Sequence, residues 1–415
     1  MLNNAFRLTL LLAMSLAAAA ATGQGLDPVR LERIDAALEA EVAGGRIPGA
    51  VALIARDGEI VYQKSFGYAS LESKTPMRID GIFRIASMTK AITSVGIMML
   101  HEQGRFLLND PVSKFIPGFA NPQVAVEFGD DGLVTKTRPA AREIRIVDLL
   151  SHSSGISYPF LNGPLAPQYR AAGIIDGLTT SNTRLADVIP QLAELPLLFD
   201  PGERFEYGLN TDVLGYLIEV VSGRTLEQFF AEEIFAPLGM RDTFFYLPDD
   251  KAGRLVTLYS EVDGKLVESG DEDGPITLDD VNYPVTGAKT YFSGGAGLSS
   301  TAYDYFRFIQ MLLNGGELDG KKLLSRKSVE LMHAPRVGLP FGPGTSMGLG
   351  FQVVVDLGLY GEPGSTGAYS WGGIFNTSFW IDPQEQLVGV VMTQVLPTTS
   401  TITQRFRTLT YQALE

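Results

Sequence analysis

The sequence predicts an α+β fold, in which one antiparallel sheet formed from N- and C-terminal segments is flanked by helices and carries an inserted, mainly helical lobe. The first observation is a hairpin pattern near the N-terminus, where two apolar runs are joined by Asp57-Gly58, a strong turn signal. The second is a series of short β-rich runs separated by Gly and Pro in the last third of the chain. The third is helical periodicity over much of residues 160–245. The two ends must therefore meet in space, and a cleft between the lobes is the natural ligand site.

The N-terminal elements follow from local signals. Asp27 followed by Pro28 is typical of an N-cap and a first helical residue, and the apolar stripe after it stops at Gly44. The hairpin comes next, over residues 50–68. A second helix is expected over residues 87–100.

The middle and the end of the chain differ in predicted structure. Residues 121–142 are expected to form a polar excursion, and residues 212–221 a helix that Gly223 ends. Short strands and a last helix are predicted at residues 350–355, 377–381, 387–392 and 402–414.

These elements form one predicted catalytic domain, residues 26–415. Its α/β lobe covers about residues 26–86 and 290–415, and its helical lobe about residues 87–289. No internal repeat divides the chain further.

Residues 1–21 have the pattern of a secretory signal peptide. Arg7 supplies a positive charge, an alanine-rich apolar run follows, and small residues precede the expected cleavage site. The run is too short for a comfortable membrane span, and no second apolar run of about 18 residues follows it. We therefore expect an exported bacterial protein, periplasmic or extracellular, without a stable membrane anchor.

The composition excludes several classes of function. The net charge is −14 and no basic stripe occurs, so nucleic acid is not an expected partner. The chain has no cysteine, which excludes disulfides and thiolate metal sites. Its three histidines, His101, His152 and His333, lack ligand spacing, so neither a metal nor a cofactor is predicted.

One stretch places two potentially reactive side chains close together, namely Ser87-x-x-Lys90 at the start of a predicted helix. Residues three apart lie on one helix face, so the two side chains are expected within hydrogen-bond reach of each other. A serine hydroxyl is a weak nucleophile that needs a neighbouring base, and a lysine among apolar residues can serve as one. The pattern is common by chance, so it needs support from elsewhere in the chain.

Two further motifs lie far away in sequence. Tyr207 stands on a glycine-flanked turn before a helix, where a phenol can reach into a cleft and shuttle protons. Trp371, Gly372 and Gly373 lie beside a predicted strand, where glycines allow a ligand close to the backbone. A main-chain N–H there can pair with that of Ser87 as an oxyanion hole. Taken singly, Tyr207 is more simply a packing residue, as most of the 15 tyrosines are, and the Gly-rich stretch could equally be a β-bulge.

In this order, the three motifs resemble those of the serine β-lactamase and penicillin-binding fold. The resemblance covers nearly the whole chain after the signal, and it points to the class C branch. The supporting stretches are residues 109–112, 149–155, 201–203, 237–240 and 297–301.

The chain departs from the class C pattern at two places. Residues 207–209 read Tyr-Gly-Leu where that branch has Tyr-x-Asn, and residues 371–373 read Trp-Gly-Gly where it has Lys-Thr-Gly. The absent lysine removes a cation that would pair with the carboxylate of a β-lactam or peptide, a bond of roughly 1.5–3 kcal/mol. Both losses favour neutral esters, and the Trp-Gly-Gly variant is similar to that of the family VIII carboxylesterases.

The resemblance implies a serine hydrolase that cleaves small carboxylic esters through an acyl-enzyme. Ser87 would be the nucleophile, with Lys90 and Tyr207 as the general acid/base pair. The N–H groups of Ser87 and Ile374 would form the oxyanion hole. The substrate-binding residues would be Trp371, Gly372 and Gly373.

Other interpretations stay open on the sequence alone. Residues 344–348 match the Gly-x-Ser-x-Gly elbow of α/β-hydrolases around Ser346, but a strand-like run follows the motif and no histidine comes after His333. His152 could be a base, although its Ser-His-Ser-Ser-Gly setting favours a structural turn. A β-lactamase or D-amino-acid peptidase and a non-catalytic peptidoglycan-binding protein are the competing functions. The natural ester, its acyl length and the oligomeric state are not predicted.

Overall fold

Both ends of the chain supply strands to one antiparallel sheet in the computed structural model, which describes residues 25–270, 281–339 and 342–415. The predicted signal peptide, residues 1–21, lies outside the described residues. In chain order the strands are β1 Gly49–Arg56, β2 Glu59–Ser70, β3 Thr75–Pro76, β4 Phe83–Arg84, β5 Gln123–Phe128, β6 Val134–Pro139, β7 Tyr259–Val262, β8 Lys265–Glu268, β9 Ser299–Ser300, β10 Glu317–Leu318, β11 Lys321–Lys322, β12 Val337–Gly338, β13 Thr345–Met347, β14 Gln352–Val354, β15 Tyr369–Gly373, β16 Thr377–Asp382 and β17 Leu387–Met392.

The large sheet has nine strands in the order β12-β13-β14-β15-β16-β17-β1-β2-β3. The N- and C-terminal contributions meet where β1 pairs with β17, with Val51 opposite Met392 and Arg56 opposite Leu387. The predicted fold class is thus confirmed, including the assembly of the sheet from the two ends of the chain.

Helices cover both faces of this sheet, and most of them lie between its two sets of strands in the chain. They are α1 Pro28–Ala43, α2 Thr89–Glu102, α3 Ile146–Leu150, α4 Ala166–Ala171, α5 Leu185–Ala193, α6 Asn210–Ser222, α7 Leu226–Phe230, α8 Ala236–Leu238, α9 Asp249–Ala252, α10 Ala302–Leu313, α11 Arg326–Met332, α12 Leu357–Tyr360 and α13 Ile402–Tyr411. Where the lobes divide stays a prediction.

Alternate residues of β1 enter different cores, which explains its continuous apolar sequence. Ala50, Ala52 and Ile54 pack with α1 and α13 on one face of the sheet. Val51 and Leu53 belong to the main core on the other face, which α10 covers. A strand covered on both faces has no polar side, so an unbroken apolar run is expected there.

The local signals near the N-terminus act as predicted. The Asp27 carboxylate accepts a hydrogen bond from the Val29 N–H at 2.9 Å and caps α1. Asp57 and Gly58 both have positive φ, 51° and 84°, as a two-residue hairpin turn between β1 and β2 requires. Gly223 ends α6 in the left-handed conformation, with φ of 72°.

Residues 121–142 differ from the prediction, because they contain the hairpin of β5 and β6. Val124, Val126 and Phe128 alternate along β5 as they do in a typical strand, but Val126 and Phe128 are exposed, and β6 is exposed over most of its length. The hairpin is anchored instead by backbone pairing, in which the Ala125 N–H donates to the Leu197 carbonyl at 2.9 Å. Long-range pairing of this kind leaves no local pattern.

Helix α2 lies at the centre of the molecule, where it packs against α6. Every residue from Thr89 to Leu100 is buried, so the helix is enclosed on all sides. Across the described ranges, no helix is long and apolar enough to cross a bilayer. Within the same ranges, no group of three or more His, Cys, Asp or Glu side chains could hold a metal ion.

Candidate active site

Ser87 lies where a short strand turns into the central helix. Strand β4 pairs with β9, and the 3₁₀ turn Ala86–Met88 leads directly into α2. Ala86 has a φ of 41°, a left-handed conformation that costs roughly 1–3 kcal/mol outside glycine. The turn leaves Ser87 half-buried at the edge of a cavity, while Ala86 and Met88 are buried.

Lys90 and Tyr207 both reach the Ser87 hydroxyl. Lys90 Nζ donates to Ser87 Oγ at 3.2 Å, and the Tyr207 hydroxyl donates to the same oxygen at 2.7 Å. Lys90 lies one helical turn after the serine, as the spacing predicts, whereas Tyr207 follows 120 residues later. The structure therefore brings the three predicted catalytic side chains together.

The Lys90 amino group is buried, and three hydrogen-bond acceptors surround it. Besides Ser87 Oγ, it donates to the Tyr158 hydroxyl at 3.0 Å and to the Gly295 carbonyl at 2.7 Å. The aromatic rings of Tyr158 and Tyr207 lie 5.3 and 4.8 Å from Nζ. Three acceptors match the three N–H donors of an ammonium group, which makes this burial tolerable.

Tyr158 is a residue of the site that the sequence did not reveal. It follows the predicted Ser-His-Ser-Ser-Gly turn, but nothing in its local pattern distinguishes it among the 15 tyrosines. Burial and the neighbouring Tyr207 hold the pKa of Tyr158 well above its usual value. Tyr158 therefore stays protonated and serves as a neutral acceptor that orients Lys90.

A second buried residue that the sequence did not reveal, Asp212, helps to position a hydrogen-bond acceptor of Lys90. Ser293 Oγ donates to Asp212 at 2.6 Å and accepts the Gly295 N–H at 3.2 Å. The Gly295 carbonyl in turn receives Lys90 Nζ. Burial raises the pKa of Asp212, and the Ser293 hydrogen bond and the Lys90 charge oppose that rise. The Asp212–Ser293–Gly295 chain thus positions an acceptor for the lysine.

The turn that carries Tyr207 is pressed against the segment that carries Tyr158. A Cβ on Gly208 would lie 2.1 Å from the Ile156 carbonyl oxygen, so only glycine fits this approach. The Leu209 N–H donates to the Ser157 carbonyl at 3.3 Å. As a result, the rings of Tyr158 and Tyr207 lie 5.3 Å apart.

His152 supports this turn and does not touch the serine in the described contacts. Its Nδ1 accepts a hydrogen bond from Asn210 Nδ2 at 3.1 Å, and its ring lies 5.0 Å from that of Tyr207. Burial and the Lys90 charge hold the pKa of His152 well below its usual value, so it is neutral at physiological pH. Asn210, which also accepts from Ser154 Oγ, is a buried brace of the turn.

The Trp-Gly-Gly strand, β15, borders the same cavity. A Cβ on Gly373 would lie 2.4 Å from the Ile85 carbonyl oxygen, so this strand end abuts the segment leading into Ser87. The Ile374 side chain is 45% exposed, and Trp371 packs 5.8 Å from the Tyr207 ring. The backbone of Ile374 is thereby brought to the Ser87 side of the cavity, and its role in an oxyanion hole stays a prediction.

The cavity next to Ser87 has a volume of about 470 Å³ and a predominantly apolar wall. Its lining is Ala86, Ser87, Tyr158, Phe160, Leu161, Asp176, Leu178, Tyr207, Ala296, Gln352, Trp371, Gly372, Ile374, Phe375 and Leu396. None of these lining residues, all within the described ranges, is Lys, Arg or His.

The alternative nucleophile, Ser346, has no catalytic surroundings. It lies in strand β13 between β12 and β14, and its hydroxyl donates to the Val337 carbonyl at 3.0 Å. No strand-to-helix elbow forms there. His333 stacks on Tyr369 at 4.8 Å, and His101 Nδ1 contacts the Phe106 carbonyl at 3.0 Å, so both are packing residues.

An accessible serine with a lysine and a tyrosine on its oxygen, between an antiparallel sheet and a helical lobe, defines the class of active-site serine enzymes with the β-lactamase/transpeptidase fold. Comparison with known proteins bears this out. The model of the family described as Beta-lactamase matches residues 34–412, and the chain belongs to this family.

Similar proteins with known names include esterases. The chain is 34% identical to Protein Rv1367c of Mycobacterium tuberculosis, over 85% of this chain and 87% of that protein. It is 31% identical to Esterase EstB of Burkholderia gladioli, over 87% and 90% of the two chains. Among solved structures, EstCE1, described as a hydrolase with promiscuous acyltransferase activity, has a TM-score of 0.79 at 31% identity and covers 93% and 98%. The protein is accordingly a serine hydrolase of the esterase type.

Proposed function

We propose that the protein hydrolyses small, neutral carboxylic esters through an acyl-enzyme on Ser87 Oγ. The observation that carries the proposal is the convergence of Lys90 Nζ and the Tyr207 hydroxyl on that oxygen, 3.2 and 2.7 Å away, at the edge of an apolar cavity. A serine with two proton-transfer partners beside an apolar chamber is suited to acyl transfer.

The chemistry runs in two halves. Ser87 Oγ attacks the ester carbonyl carbon while its proton passes to the Lys90–Tyr207 pair, which acts as a unit and enters the step with one proton fewer than an ammonium and a phenol carry together. The bond to the alcohol oxygen then breaks, and the pair returns the proton to that oxygen. A water molecule then attacks the acyl-enzyme by the same steps, which releases the acid and restores the serine. The N–H groups of Ser87 and Ile374 stabilise the oxyanion in both halves.

The preference for neutral esters follows from the cavity wall. A β-lactam or a peptide terminus presents a carboxylate, which needs a cation to offset its desolvation. The lining described above offers none, and Trp371 stands where the class C pattern has lysine. A neutral ester loses little hydration on entering such a wall and gains apolar contact with it.

A paired assay tests the proposal. Purified protein is given p-nitrophenyl butyrate and, separately, a chromogenic cephalosporin, and initial rates are followed over a concentration series. We expect efficient ester turnover and little or no cephalosporin turnover. Cephalosporin turnover comparable with ester turnover would replace the proposal with the β-lactamase or peptidase reading. Absence of both, with binding to peptidoglycan retained, would instead support a non-catalytic role.

A second proposal concerns location, and it rests on the sequence pattern alone. Residues 1–21 are proposed to direct export and to be removed, which places the enzyme in the periplasm or outside the cell. N-terminal sequencing of protein recovered from the periplasm and the medium tests this. A mature chain that starts near residue 22 is expected, and an intact N-terminus found only in the cytoplasm would rule export out.

A further inference from the structure

One carboxyl group stands in the predominantly apolar and aromatic wall of the ester cavity. Asp176 lies in the segment between α4 and α5, and it lines the same cavity as Ser87. Apolar side chains from the same helical lobe, Phe160, Leu161 and Leu178, line the cavity with it. Of the described residues in this lining, Asp176 is the one whose side chain carries a formal charge.

One oxygen of this carboxyl group lacks the partner that a buried acid normally has. Asp176 Oδ1 is buried and, among the described residues, has no hydrogen-bond partner. Arg170 is close enough to influence Asp176 by its charge, but its guanidinium donates to the Pro159 carbonyl at 2.8 Å. Buried polar atoms are nearly always paired, so an unpaired one at a ligand cavity calls for an explanation.

The electrostatics of the group indicate what would satisfy it. Burial raises the pKa of Asp176, and a backbone hydrogen bond from Phe160 and the Arg170 charge oppose the rise. The ionised form is therefore short of donors. A ligand group that donates a hydrogen bond would replace the hydrogen bonds that an exposed carboxylate receives from water. A ligand carboxylate would instead add a second negative charge.

We infer that Asp176 is a specificity-determining residue, which accepts a hydrogen bond from a hydroxyl or ammonium group of the ester substrate and discriminates against carboxylate-bearing substrates. The inference rests on the proposed function, because it concerns the same cavity. The terminal torsion of an aspartate is soft, so Oδ1 can turn toward a ligand without any movement of the backbone. The preferred substrate is then an ester with an apolar body and one donor group.

Matched esters that differ by a single group test the inference. On the acyl side, methyl 3-hydroxybutanoate and methyl 3-aminobutanoate are compared with methyl 3-methylbutanoate, and methyl 6-hydroxyhexanoate with methyl heptanoate. On the alcohol side, 2-hydroxyethyl butanoate is compared with propyl butanoate. Each kcat/KM is divided by the rate constant for hydroxide hydrolysis of the same ester, which removes differences in intrinsic reactivity.

In the wild type, at least one donor ester should exceed its methyl counterpart. Asp176→Leu should reduce that preference by about tenfold, the worth of a hydrogen bond to a charged group. Asp176→Asn keeps an acceptor without the charge, so it should weaken the ammonium ester more than the hydroxyl esters. Asp130→Asn, which neutralises an exposed carboxyl group in the β5–β6 turn, is the matched control and should leave all ratios unchanged.

Two outcomes would overturn the inference alone: no donor preference in any wild-type pair, or a preference that both Asp176 variants retain. The wild-type comparison stands even if a variant does not fold, which thermal unfolding would reveal. Failure of the wild type to hydrolyse any of these esters would overturn the proposed function, and the inference with it.

Discussion

Two serines of this chain lie in motifs typical of nucleophiles, yet the structure gives them opposite surroundings. Ser87 is half-buried at a cavity edge and receives hydrogen bonds from Lys90 and Tyr207. Ser346 lies inside the sheet, and its hydroxyl donates to the Val337 carbonyl. Both serines lie in sequence motifs that match those of known nucleophiles. What distinguishes the nucleophile is therefore the set of side chains that hydrogen-bond to its oxygen.

The backbone explains much of the difference. A positive φ at Ala86 turns the chain sharply before α2 and presents Ser87 to the cavity. Ser346 continues an extended strand, paired with Gly338 on one side and Val353 on the other. Ser346 is also buried, and its hydroxyl is engaged by the Val337 carbonyl of the neighbouring strand, so it is not presented to a substrate.

The largest expected effect is on ester hydrolysis, when each of the two serines is replaced in turn. Ser87→Ala should lower kcat/KM for p-nitrophenyl butyrate by roughly 10³-fold or more, because the acyl-enzyme can no longer form. Ser346→Ala should change it by less than about threefold, since it removes one structural hydrogen bond worth about 1 kcal/mol. The reverse pattern would restore the elbow interpretation of residues 344–348.

An intermediate effect separates the two tyrosines around Lys90. Tyr207→Phe should lower kcat by roughly 10²–10⁴-fold, as expected for loss of a proton-transfer group. Tyr158→Phe should lower it by about tenfold, because Lys90 loses one of three acceptors. Tyr158→Phe should also displace the pH profile of kcat/KM, a change that a merely structural role would not produce.

Equal losses in the two tyrosine variants would contradict this division of labour. So would a Tyr158→Phe enzyme with a lower rate and an unaltered pH profile. Thermal unfolding of both variants serves as the control for folding.

The smallest expected effect concerns His152, the other candidate base, and is measured as a change in the pH dependence of the free energy of unfolding. Burial holds its pKa well below the usual 6.5, so below about pH 6.5 the unfolded chain binds a proton that the folded chain does not. Stability should therefore fall as the pH drops below that value. In His152→Gln this part of the fall should disappear, a difference of about 1 kcal/mol between pH 7 and 5.5 in urea unfolding.

The catalytic rate of the same variant provides the cross-check. If His152 only braces the Tyr207 turn, ester turnover by His152→Gln should fall far less than that of Tyr207→Phe. A loss as large as that of Ser87→Ala, with no change in the pH dependence of stability, would make His152 a base.

Much of the architecture was open to prediction because its signals are local. The Asp27 cap, the Asp57-Gly58 turn and the Gly223 stop each depend on a few neighbouring residues, and all three form as expected. The hairpin over residues 123–139 was missed, because the alternation of Val124, Val126 and Phe128 lies in a stretch whose many polar and charged residues favoured a loop.

What the sequence determined by itself was the fold class, the antiparallel sheet assembled from both ends of the chain, and the choice of Ser87, Lys90 and Tyr207 as candidates. Ser87 and Lys90 share a helix face, so their three-residue spacing predicts that they lie close together. Tertiary structure alone decided the rest, namely that Tyr158 and Gly295 complete the shell of Lys90 and that Asp176 enters the cavity. These groups meet through packing of segments distant in the chain, and no period or motif encodes such a meeting.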